Sequence, residues 1–144
     1  MLNRSMLVAV LLAGSPCVLA QQDAGQCEAN FTVAGSWSSG KTFKTSAEHA
    51  GVGYDVAFDK VAAAIRNDGL TIIDESKERG FIRANNPVKG GQGGTAVAPM
   101  RVLVIGKPGG AVKVDVTFTI AGGQLAPKKA MIQHLCAVAD APAS

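Results

Sequence analysis

Histidine is scarce in this sequence of 144 residues, with two copies, and aromatic residues are few: five phenylalanines, one tyrosine and one tryptophan. Two imidazoles give little material for a multi-histidine metal centre, and no serine stands in a G-x-S-x-G elbow, so neither metal chemistry nor acyl transfer has a sequence signature here. An excess of one charge is also lacking. Fourteen basic residues stand against eleven acidic ones, which implies neither a nucleic-acid surface nor an acidic tail. Beyond residue 20 no apolar run approaches the roughly twenty residues of a membrane-spanning helix. Cysteine occurs three times, at 17, 27 and 136, without the paired spacing of a zinc ribbon.

What is present begins with an export signal. Arg4 precedes an apolar run from Met6 to Ala13, Gly14 and Pro16 break it, and Val18-Leu19-Ala20 offers a peptidase site before Gln21. The expected organisation is a signal peptide over 1–20, a loop segment over 21–40, a single domain over 41–140 and a tail over 141–144. A lipoprotein reading competes, since Cys17 follows the apolar run, but Pro16 replaces the small flexible residue that lipidation needs immediately before the cysteine. With Cys17 removed, Cys27 and Cys136 remain as an even pair in an oxidising compartment, periplasmic or secreted, and are expected to form a disulfide; two separate buried thiols are the alternative.

Residues 21–40 show little periodicity apart from Phe31-Thr32-Val33, a candidate edge strand, and 41–48 reads as a strand ending at Gly51 and Gly53. Tyr54, Phe58, Val61 and Ile65 recur at three- and four-residue spacing, which predicts an amphipathic helix over 53–68 closed by Gly69. Leu70–Asp74 and Phe81–Ala84 read as a hairpin ended by Asn85-Asn86-Pro87, with solvated charges at its tip, and Gly90–Gly94 as a loop. Residues 96–105 are strongly apolar. Val112, Val114, Val116, Phe118 and Ile120 alternate with polar residues, so two long antiparallel strands follow, and Pro99 is tolerable only at an edge or bulge. Pro127, Met131, Leu135 and Val138 mark a second helix. The fold class is thus α+β, an antiparallel sheet with two helices packed on one face in the order β-α-β-β-β-β-α.

One motif is loud and misleading. Gly35-Ser36-Trp37-Ser38-Ser39-Gly40-Lys41-Thr42 satisfies the G-x-x-x-x-G-K-[ST] phosphate loop, and Asp74 ends an apolar stretch where a magnesium-binding aspartate would stand. A phosphate loop needs a parallel strand before it and a long helix after it, whereas the residues after Thr42 read as a strand; no nucleotide is expected. His49 and His134 show no sequence mark of partnership, and His49, Glu48 and Asp55 lack the spacing for three ligands on one face. Asn30-Phe31-Thr32 is a glycosylation acceptor only in a eukaryotic secretory pathway.

The aromatic helix, then Asp68-Gly69-Leu70-Thr71-Ile72-Ile73, a charged turn and Gly80-Phe81-Ile82-Arg83-Ala84, resembles small exported bacterial domains of the BamC-like, helix-grip layout, or a related periplasmic family. The likeness spans most of residues 41–139. It implies a non-catalytic binding or scaffolding role with a protein or envelope component as partner. From the residues themselves no catalytic, cofactor or metal site is expected, only the Cys27–Cys136 pair. A small-ligand or lipid carrier is the alternative, followed by a hydrolase using His49 or His134. Mass spectrometry of native material should find a chain starting at Gln21 and two hydrogens lighter than its reduced form; an intact leader or two free thiols contradicts this reading.

Overall fold

Alternation in the C-terminal half of the chain sets the plan of the molecule. Strand β6 (Ala111–Ile120) buries Val112, Val114, Val116, Phe118 and Ile120 and leaves the residues between them half-buried. The structure is a computed structural model and describes residues 25–88 and 96–144. The expected signal peptide with Cys17 and the Gly90–Gly94 loop lie outside the described residues.

Five further strands, β1 (Thr32–Ser36), β2 (Gly40–Ala50), β3 (Thr71–Ser76), β4 (Phe81–Val88) and β5 (Ala96–Lys107), join β6 in one antiparallel sheet of order β1-β2-β6-β5-β4-β3. The inward positions of β2 (Phe43, Thr45, Ala47), β4 (Ile82, Ala84) and β5 (Ala98, Met100, Val102, Val104) lie in register with those of β6. Helices α1 (Gln26–Ala29), α2 (Tyr54–Asn67) and α3 (Lys128–Ala139) complete the α+β fold. Buried residues of α2 (Ala57, Phe58, Val61, Ala62, Ile65) and α3 (Met131, Leu135, Val138, Ala139) merge with the sheet's inward side into a single core. Helix α2 touches β3, β5 and β6, and α3 touches β2 and β6.

Helix α2 ends as its composition requires. Gly69 takes φ 87°, the Gly69 N–H bonds to the Arg66 carbonyl at 3.1 Å and the Leu70 N–H to the Ile65 carbonyl at 3.2 Å, the paired bonds of a Schellman cap. Only a residue without Cβ adopts that backbone cheaply, and the cap delivers Leu70 into the core. In the following hairpin Ile73 is an extra residue between the pairs Ile72↔Ala84 and Asp74↔Arg83. This bulge shifts the alternation by one, so that Asp74 stands beside Arg83 on the solvent side instead of turning inward.

Four departures from the sequence reading have physical causes. Residues 21–40 are not mostly loop: α1 and β1 occupy most of the described part. The edge strand expected at Phe31-Thr32-Val33 is found as β1, but all five β1 residues are exposed, so backbone pairing with β2 carries it on to Ser36 without apolar alternation. The order accordingly opens with α1 and two strands before α2. The hairpin does not end at Asn85-Asn86-Pro87, since β4 continues to Val88 beside β5; β3 stops opposite Asn85, and Pro87 lies where β4 is an edge. Pro99 obeys the same rule, just outside the β5–β6 ladder that begins at Met100. The expected tail at 141–144 instead forms a 3-10 turn over Ala141–Ala143, with Ala141 and Pro142 buried and the Lys60 ammonium donating to the Ser144 carbonyl.

Cys27 and Cys136 form a disulfide with Cα atoms 5.7 Å apart, tying α1 to α3 across 109 residues of sequence. Closing so long a loop restricts the unfolded chain, so replacing both cysteines by serine should cost about 2–4 kcal/mol of stability, read as a lower denaturant midpoint with a slope at least as steep, since the freed unfolded chain exposes more surface. An unchanged midpoint would mean that the bond is not part of the native protein.

Candidate functional site

Strand alternation sends the candidate ligands Glu48 and His49 to opposite sides of β2. Glu48 faces outward and pairs with Lys107 at 3.4 Å, while His49 reaches α3, where its Nε2 lies 2.8 Å from the Ala139 carbonyl. Asp55 sits in the first turn of α2. The three are not brought together. One potential ligand set does converge: Cys27, Cys136 and Asp140 place their ligand atoms within 4.8 Å of one another. Both sulfurs are consumed in the disulfide, so this set holds no metal as it stands. Burial raises the Asp140 carboxyl above its ordinary range, and the nearby His49 works weakly against that rise.

His134 has a partner that the sequence did not disclose. Its Nδ1 lies 2.8 and 2.9 Å from the two oxygens of Asp68, so the imidazole N–H donates to the carboxylate. Asp68 is the residue capping the C-terminus of α2, where a negative charge meets the negative end of the helix dipole, and the imidazole of α3 relieves it. The Asp68 side chain is 17% exposed and that of His134 48%. A cavity of about 30 Å³ adjoins the pair, lined by Leu70, Asn86, Met100, Phe118, Met131 and Leu135. A histidine oriented by a carboxylate is two thirds of a hydrolytic triad, but these lining residues supply no hydroxyl or thiol, and the space suits about one water. The two groups lie 66 residues apart in the chain and meet only because α3 packs against the end of α2, so no local spacing could have revealed them.

The segment with phosphate-loop spacing forms the β1–β2 hairpin turn. Gly35 and Gly40 take φ 96° and 95°, the Ser36 and Ser39 hydroxyls bond to each other at 2.7 Å, and β2 follows where a phosphate loop would start a helix. With no helix N-terminus behind it, the turn lacks the converging N–H groups that hold phosphate.

On the sheet's outward side, Leu103 and Ile105 are exposed large apolar residues. Phe81 on β4 pairs with Leu103 on β5, Ile105 lies two residues further along, and the Arg79 guanidinium is 5.0 Å from the centre of the Phe81 ring. Beside this apolar group runs a cationic row, Lys44–Thr117–Arg101–Arg83, on four adjacent strands. Arg83 reaches Asp74 at 3.8 Å, whereas Lys44 and Arg101 have no salt-bridge partner among the described residues. A separate open groove of about 510 Å³ runs along the edge strand β3 between Arg66 and Glu75, which pair at 3.4 Å. Among the described residues no helix is long and apolar enough to cross a membrane. Comparison of the sequence with protein families and with curated proteins finds no match in either.

The raised Asp140 carboxyl makes a signed prediction. A group whose folded pKa lies above its unfolded value binds more protons in the folded state, so its contribution to stability falls as pH rises through the interval between the two values and stays unfavourable above it. Asp140→Asn should therefore leave the protein equally or more stable at neutral pH and remove that part of the pH dependence. Thermal midpoints of both proteins across the acid range check this, and a variant clearly less stable at neutral pH would contradict it.

Proposed function

We propose that the protein is an exported, non-enzymatic binding module of the bacterial cell envelope, periplasmic or secreted, whose docking surface is the outward side of its sheet. The observation that carries this reading is the juxtaposition of an apolar group (the exposed Leu103 and Ile105 with the half-buried Phe81) with two arginines, Arg83 and Arg101, at directly paired positions. Like charges opposite each other on neighbouring strands destabilise a sheet, and exposed Leu and Ile add nothing to the fold. A partner polypeptide with an apolar anchor flanked by carboxylates relieves both costs at once. The BamC-like layout of the sequence points to the same class of role.

The alternatives find less support. A small-ligand or lipid carrier needs an enclosed apolar chamber of several hundred Å³, whereas the larger groove is open and edged by charges and the apolar one holds about 30 Å³. The His134–Asp68 pair favours a hydrolase as the second reading, but that chemistry would need a nucleophile from outside the cavity lining.

A photo-crosslinking residue at position 103, with another on the exposed flank of α2 at position 56 as control, tests the proposal in the native envelope. Position 103 should capture a discrete polypeptide that position 56 does not, and Arg101→Glu should abolish the capture without lowering the thermal midpoint. Equal capture from both positions, or native mass spectra showing a bound small molecule instead of a polypeptide, would refute it.

A further inference from the structure

The end of the sheet that carries the β1–β2 turn combines three features that the fold does not require. The first is a pair of large apolar side chains presented to solvent on neighbouring loops. Trp37, in the β1–β2 turn, is 63% exposed, and Leu125, in the connection from β6 to α3, is 84% exposed. The two loops are fastened together. The Gly123 N–H donates to the Trp37 carbonyl at 2.9 Å, and Gly122 lies so close to the Ser38 carbonyl that a Cβ there would collide with it. Gln124, buried between the exposed Gly123 and Leu125, accepts the Ala121 N–H through Oε1 at 2.9 Å and braces the loop from inside. Trp37 and Leu125 are therefore held out by a rigid support. At the same end lies Val97, the second residue of β5, also more than half exposed.

The second feature is charge. Lys128 and Lys129 occupy the first turn of α3, three and four residues after Leu125, both exposed and with no acidic residue in that turn. Bases at a helix N-terminus oppose the dipole, so the folded domain gains nothing from them there; with the dipole they make a concentrated positive spot. The third feature is the lack of compensation. Of the described elements that meet at this end, the carboxylate contributed is Asp68, already held by His134.

An indole and an aliphatic side chain, both exposed on two loops fastened together and followed by lysines, match the chemistry of a phospholipid interface: the indole settles at headgroup depth, the leucine enters the acyl boundary and the ammonium groups meet lipid phosphates. We propose that this end of the domain is a membrane-contact tip that seats Trp37 and Leu125 in an anionic phospholipid surface, with Lys128 and Lys129 on its headgroups. The site is separate from the outward side of the sheet, so a protein partner and a bilayer can be engaged together.

Trp37 is the chain's one tryptophan, and its emission reports on the tip directly. The exported protein, mixed with phosphatidylcholine vesicles containing phosphatidylglycerol, should show a blue-shifted emission that brominated lipid quenches, together with co-flotation that added salt weakens. Lys128→Gln with Lys129→Gln should reduce vesicle affinity about thirtyfold, and Leu125→Ser should abolish the shift; both sets of changes are on exposed residues, and circular dichroism checks that the fold is kept. Unshifted emission on anionic vesicles overturns the proposal without need of any variant. So does binding that ignores Leu125 and the lysines, or a blue shift produced by lipid-free envelope polypeptides and not by vesicles, which would make the tip a protein contact.

Discussion

The inward side of β6 is the constraint to which the other elements answer. It lies at the centre of the sheet, flanked by the two longest strands, and five successive inward positions must be covered by apolar atoms. Burying one such valine contributes on the order of 1.5–3 kcal/mol, and a one-residue slip in register would turn the whole set into water. Register between β2, β6 and β5 is thereby locked, and the apolar stripes of α2 and α3 have one place to go.

Around that core the molecule is tied by contacts between segments remote in sequence. The disulfide holds α1 against α3, His134 holds α3 to the end of α2, and Lys60 holds the C-terminal turn to α2. The exposed ion pairs on β3 and its turn, Arg66–Glu75 and Lys77–Asp59, each contribute little in water, but together they orient the edge hairpin relative to α2. The uncovered surfaces are what remains once these ties are made. On the outward side of the sheet the remainder is an apolar and cationic strip, and at the Trp37 end it is a braced aromatic tip.

Functional readings follow from the same economy. The imidazole–carboxylate pair has a sufficient explanation in the junction of two helix ends, since the ring N–H gives a hydrogen-bond donor to an acid placed against a helix dipole. Arg101, which faces Arg83 across the β4–β5 pair, and the lysines opening α3 have no salt-bridge partner among the described residues, which is why a partner and a bilayer are proposed for them rather than for the histidine.

Periodicity determined β6, α2 and α3, because each buries one side against a continuous core and its apolar residues recur at 2 or 3.6, whereas β5 was legible as a continuous apolar run whose inward side only pairing with β6 decided. The oxidised Cys27–Cys136 pair was legible as well, from cysteine arithmetic. Strand β1 was legible only as the short edge-strand candidate at Phe31-Thr32-Val33, and helix α1 not at all: an edge strand held by backbone bonds and a single helical turn pinned by a sulfur bridge leave no apolar rhythm. The continuation of β4 through Pro87 depended on where β3 stops, and the bulge at Ile73 on the register between β3 and β4, both properties of strand pairing rather than of one segment. The site features were decided by tertiary structure alone. Arg83 meets Arg101, His134 meets Asp68 and the Trp37 turn meets the loop that carries Leu125 through strand register and loop packing, and chemistry made by residues far apart in the chain has no local pattern to read.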